Sequence, residues 1–92
     1  FLLSITEANR YFKTDEERMC VPTAYAKANG AYTNSDYTKG GAATCWWWLR
    51  SPGHDRRIAA YVGNGGGVDR RGINVDRDSG CVRPALWIDL SA

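Results

Sequence analysis

The sequence predicts an α+β domain in which short N-terminal helices pack on a small, mainly antiparallel sheet with long loops. Three observations carry this expectation. Two capping-box signals, Ser4-Ile5-Thr6-Glu7 and Thr14-Asp15-Glu16-Glu17, stand close together near the N-terminus. Short β-branched and aromatic runs separated by turn residues fill the second half. The length suits one domain spanning residues 1–92, which buries roughly 60 to 65% of its unfolded surface, so the core is thin and every large aromatic counts.

In a capping box the hydroxyl and the carboxylate three residues later satisfy orphan backbone donors, so one short helix should begin at Ser4 and another at Thr14. Pro22 is expected to open a third, Thr23 to Ala28, because its missing N–H costs nothing at the first helical position; Asn29-Gly30 stops it. Ala31 to Thr44, rich in Gly, Thr, Asn, Ser and Tyr, reads as loop. Strands are expected at Trp46–Leu49, Ile58–Val62, Gly72–Val75 and Val82–Leu90, with reversals at Pro52-Gly53 and Gly63-Asn64-Gly65-Gly66-Gly67. The last stretch lacks the Lys-Ser/Thr and helix start of a phosphate loop, so a hairpin turn is the better account. Successive side chains of Trp46-Trp47-Trp48-Leu49 point to opposite faces, and both faces need cover, one from the helices and one from loops. The tryptophans are therefore expected to be core, with an exposed Trp47 stacking on a sugar as the alternative.

Hydrophobic residues at 43%, charged residues at 24% and a net charge of +2 exclude a disordered tail and a strongly basic nucleic-acid binder. Cys20, Cys45 and Cys81 form no Cys-x-x-Cys pair, so no zinc ribbon or thioredoxin-type site is expected and no metal or cofactor is assigned. They read as small buried hydrophobes, and a disulfide between two of them stays open. Phe1–Ile5 is too short for a signal peptide or a membrane span, so no membrane insertion is expected of this segment. Without an initiator Met the chain reads as a fragment of a longer protein.

Every lysine and glutamate precedes Cys45, whereas between His54 and Ser79 the charged residues are exclusively Asp and Arg. The candidate positions are His54, Asp55, Arg56, Arg57, Asn64, Asp69, Arg70, Arg71, Asn74, Asp76, Arg77 and Asp78, set among framework residues Ala59–Val62, Val68, Gly72 and Val75. Substituting the adenines of an asparagine codon yields Asn, Asp, His, Arg and other residues but never Lys, Glu, Gln, Met or Trp. The segment obeys that restriction, as it would under adenine-directed mutagenesis by a diversity-generating retroelement. The alternative is that compact, hydrogen-bonding Arg and Asp suit turns. Five arginines against four aspartates give a mixed surface, better suited to protein recognition than to single-stranded nucleic acid. His54-Asp55 invites an acid/base reading, but adjacent loop residues seldom face each other and no nucleophile is tied to them, so no catalytic residue is assigned. Arg50 and Arg83 sit in framework motifs and are expected to form buried ion pairs or cap carbonyls.

The segments Trp46–Gly53, Ala59–Val62, Gly67-Val68, Gly72–Val75 and Gly80-Cys81-Val82-Arg83-Pro84-Ala85-Leu86-Trp87-Ile88, together with Cys20–Lys27, resemble a family of uncharacterised domains abundant in gut bacteria. That family is similar to the C-type-lectin-like fold shared by formylglycine-generating enzymes and by the variable proteins of diversity-generating retroelements. The resemblance implies a C-terminal strand in the core sheet and an exposed platform of variable side chains. The calcium-binding Glu-Pro-Asn, Gln-Pro-Asp and Trp-Asn-Asp motifs of sugar-binding lectins are missing, and Cys45 and Cys81 stand isolated where formylglycine-generating enzymes carry an active-site pair.

The expected function is therefore ligand binding and display. The ligand would be a protein or glycan on another cell or a phage target, met at the cell surface or on a virion by a larger protein, with no nucleic acid partner. A structural module of such a protein is the alternative. An enzyme of the formylglycine-generating type is a third reading and would require a reactive cysteine pair.

Overall fold

A computed structural model describes residues 1–86. It is α+β: helices α1 (Ile5–Tyr11), α2 (Asp15–Arg18) and α3 (Ala24–Ala28), then strands β1 (Thr33–Lys39), β2 (Ala42–Cys45), β3 (Trp47–Pro52), β4 (Ile58–Val62) and β5 (Val68–Asn74). β1 and β2 form one antiparallel sheet, and β3-β4-β5 form a second, an antiparallel meander.

Local chemistry sets the helix ends. The Ser4 hydroxyl accepts from the Glu7 amide at 3.1 Å and the Glu7 carboxylate accepts from the Ser4 amide at 2.9 Å, a complete capping box. The Thr14 hydroxyl accepts from the Glu17 amide at 3.1 Å. In α3 the cap is Thr23, whose hydroxyl accepts from the Ala26 amide, so Pro22 precedes the helix instead of opening it. The helix closes as a Schellman motif, with the Gly30 and Ala31 amides returning to the Lys27 and Ala26 carbonyls at 3.2 and 3.0 Å.

The expected loop over 31–44 is instead the β1–β2 hairpin. Lys39 pairs with Ala42 across Gly40 and Gly41, whose φ values of 61° and 82° are those of a type I′ turn. The composition of this stretch is loop-like, but a two-residue Gly-Gly turn between pairing segments outweighs composition. β5 begins earlier than expected, at Val68, and no strand forms over 82–86; the rest of the expected Val82–Leu90 strand lies outside the described residues. The chain there is held to β3 by a parallel bridge between Trp47 and Cys81.

Strand alternation resolves the tryptophan run. Trp47 and Leu49 pack with Ala60 and Val62 on one face, all buried, under Ala8 of α1. Trp47 is fully enclosed: Phe12 meets it edge to face, its indole N–H donates to the Arg18 carbonyl at 2.9 Å, and Arg83 stacks on it. A sugar platform on Trp47 is thereby overturned. On the opposite face Trp46 meets Trp48 and Tyr61 edge to face at 4.9 and 5.4 Å. Arg83 bridges Phe12 and Trp47 and donates to the Arg18 carbonyl, the capping role expected of it. Arg50 caps the Leu2 carbonyl and pairs with Glu7, but half its side chain is exposed.

Candidate ligand-binding surface

Residues from three separated stretches converge at the open end of the meander. Between the pairs Ala59/Ile73 and Tyr61/Asp69, β5 carries residues 70–72 against Ala60 alone on β4, so the strand bulges there. Gly72 takes φ 85° at the bulge, and a Cβ on it would lie 2.5 Å from the Ala59 carbonyl oxygen. The bulge swings Arg70 and Arg71 outward and presents the Arg71 carbonyl to the β3–β4 turn, where the His54 amide donates to it at 2.8 Å.

That turn is ordered by its own main chain. The Gly53 amide donates to the Ile58 carbonyl at 2.7 Å, the Ile58 amide to the Asp55 carbonyl at 3.1 Å, and the Arg57 amide to the Asp55 carboxylate at 2.8 Å. The Val75 amide then donates to the Arg57 carbonyl at 3.0 Å, which ties the turn to the segment that follows β5. Asp69 plays the same organising part in the bulge, accepting from the Arg71 and Gly72 amides at 3.0 Å each.

Two open grooves flank this segment. One, of 540 Å³, is lined by Asp55, Arg57, Ile58, Asn74, Val75 and Asp76. The other, of 360 Å³, runs over Tyr32, Trp46, Tyr61 and Ile73 and is rimmed by Asn64 and Arg77. Ile73 and Asn74 line different grooves because successive side chains of a strand leave on opposite faces. Burial, followed by the adjacent Asp69 carboxylate, raises the Tyr61 hydroxyl pKa above its ordinary value, with Arg77 opposing.

All of the sequence-predicted residues except Asn64 and Asp69 are exposed. The guanidinium groups of Arg56, Arg57, Arg70 and Arg71 make no hydrogen bond or ion pair among the described residues. Asn64 departs from expectation: its side-chain Nδ2 donates to the Thr44 carbonyl at 2.7 Å while its main-chain carbonyl accepts from the buried Thr44 hydroxyl at 2.8 Å, so it ties the β4–β5 turn to β2 as framework. Tyr32, Trp46, Tyr61 and Ile73 are not among the ligand-binding candidates read from the sequence, in which Trp46 stands as core and Tyr61 as framework. The available signal was the alternation of β4, which turns Tyr61 away from the face that Ala60 and Val62 bury.

The three cysteines, isolated in sequence, also meet. Cys20 and Cys45 face one another across an antiparallel bridge, with the Cys45 amide donating to the Cys20 carbonyl at 2.8 Å. Cys81, bridged to Trp47, lies in the same buried cluster as Cys45, and Cys20 packs against that cluster. Among the described residues, no cluster of His, Cys, Asp and Glu is arranged to hold a metal ion, and no helix is long and apolar enough to cross a membrane.

No curated protein matches the chain, and no solved structure does. One family model matches residues 1–90, under the description "Domain of unknown function (DUF6273)".

Proposed function

The chain belongs to the DUF6273 family, a domain of unknown function, and from the surface described above we propose that it is a ligand-binding display module recognising a protein or glycan on another cell or a phage target. The observation that carries this reading is a division of labour at residues 53–77. Main-chain bonds fix the backbone while the side chains of Arg56, Arg57, Arg70 and Arg71 find no partner among the described residues. A surface ordered before its partner arrives loses little entropy on binding, and unpaired guanidinium groups supply strong, directional donors. Because those side chains hold nothing in place, they can be exchanged without cost to the scaffold, as diversification by a retroelement requires. The aromatic groove over Tyr32, Trp46 and Tyr61, with Arg77 at its rim, suits the apolar face of a pyranose or an aromatic side chain of a protein partner. The C-type-lectin-like relationship belongs to this same proposal and rests on the sequence motifs.

The test is binding of the purified domain to a glycan array and to a panel of intact bacterial cells. A variant combining Arg57→Ala, Arg70→Ala and Arg71→Ala should lose binding, while one combining Lys13→Ala and Lys27→Ala, away from the site, should keep it. Unchanged binding by the first variant refutes the site, and absence of any binding by the unaltered domain favours a structural module.

A further inference from the structure

The meeting of three thiols is unused by the binding surface and has a chemistry of its own. Cys20 precedes α3, Cys45 ends β2, and Cys81 lies beside β3. Cys20 is half-buried, whereas Cys45 and Cys81 are 0% and 7% exposed. A small reagent can therefore reach one sulfur of the three. A directly hydrogen-bonded antiparallel pair has Cα atoms about 5.5 Å apart, inside the range of about 4.4 to 6.8 Å that a disulfide spans.

We propose that Cys20 and Cys45 form a thiol–disulfide modification site, entered through Cys20 by a low-molecular-weight disulfide of the glutathione class. In the first step the Cys20 thiolate attacks the reagent's disulfide, forming a Cys20–glutathione mixed disulfide and releasing one glutathione thiolate. In the second, Cys45 attacks the Cys20 sulfur, forming the Cys20–Cys45 bond, and its proton leaves with the second glutathione thiolate as glutathione. The protein is oxidised by two electrons and the reagent is reduced to two glutathione molecules.

The surroundings favour this order. The Cys20 thiol is lowered to about 6, first by the Cys45 thiol that donates to it and then by the nearby Arg83 and Lys39 cations, against the opposing effect of burial. Cys45 is pushed far up by its Cys20 neighbour and by burial, and Cys81 is pushed up by burial. One accessible thiolate beside a protonated, buried resolving thiol is the arrangement of a redox-responsive pair. Closing it would staple the helical N-terminal part to the strand segment that leads into the tryptophans, so a domain delivered to an oxidising compartment would gain a covalent brace.

The experiment equilibrates the reduced, native protein with oxidised glutathione, followed by thiol counting, peptide mapping and thermal melting. Two thiols should disappear, one peptide pair should carry Cys20 joined to Cys45, Cys81 should remain free, and the Tm should rise by roughly 10 to 20 °C. A Cys45→Ala variant should trap glutathione on Cys20, and a Cys20→Ala variant should take up none. The alkylation rate of Cys20 by iodoacetamide should rise with pH around a midpoint near 6. In the unaltered protein, three persisting thiols, glutathione resting stably on Cys20, or a bond between Cys45 and Cys81 would each overturn the proposal.

Discussion

Gly72→Ala and Arg71→Ala, substitutions at adjacent positions of one bulge, should have opposite consequences. Gly72 sits at φ 85°, where an L side chain costs about 1 to 2 kcal/mol. The added Cβ would also lie 2.5 Å from both the Ala59 carbonyl oxygen and the Ile58 Cγ2, and relieving such overlap costs about 1 to 3 kcal/mol. The reduced entropy of the unfolded chain returns about 0.4 to 1 kcal/mol. The net loss is about 1 to 5 kcal/mol, out of a total of roughly 5 to 14 kcal/mol for a domain of this length, and it should lower the Tm by about 5 to 35 °C. Arg71 bonds to its surroundings through its amide, which donates to Asp69, and its carbonyl, which accepts from His54. Alanine keeps both, so Arg71→Ala should stay within about 0.5 kcal/mol of the unaltered protein. Urea unfolding followed by the fluorescence of the buried tryptophans measures both. Comparable losses for the two variants would refute the division between framework and displayed side chains.

Asn64→Ala should cost about 1 to 3 kcal/mol in the same assay, because the Thr44 carbonyl loses its donor; a neutral result would return Asn64 to the display set. Leu49→Ala should cost about 2 to 5 kcal/mol, since the side chain is 1% exposed within the main cluster. The Glu7 carboxyl is held below its ordinary 4.5, first by the Ser4 amide and then by Arg50. A depressed carboxylate contributes stability that is present above 4.5 and lost as pH falls through the lower folded value, so Glu7→Gln should flatten the decline in stability below about pH 4.5. Parallel acid-unfolding curves for the two proteins would contradict that assignment.

What the sequence revealed follows the range of the interactions involved. The helix starts at Ser4 and Thr14 were legible because a cap is closed within four residues. β4 was legible because its apolar run is bounded by turns. The β1–β2 hairpin is hidden by a loop-like composition that masks the Gly40-Gly41 turn, and α3 starts one residue later than Pro22 suggests because the Thr23 hydroxyl caps its first turn. The exposed arginines were legible as a run of one chemistry, but their grouping into two grooves depends on the β5 bulge. The roles of Asn64 and of the three cysteines depend on contacts between distant segments, which local patterns do not encode.

Deep sequencing of the gene segment for Ser51 to Gly80 in the source population, with a search of the flanking DNA for a template repeat and a reverse transcriptase, tests the central claim most directly. The account predicts substitutions concentrated at His54, Arg56, Arg57, Arg70, Arg71, Asn74, Asp76, Arg77 and Asp78, confined to adenines of the template, with Gly53, Ala60, Val62, Asn64 and Gly72 constant. An invariant segment without a template, or substitutions spread evenly over the buried and exposed positions, would contradict it.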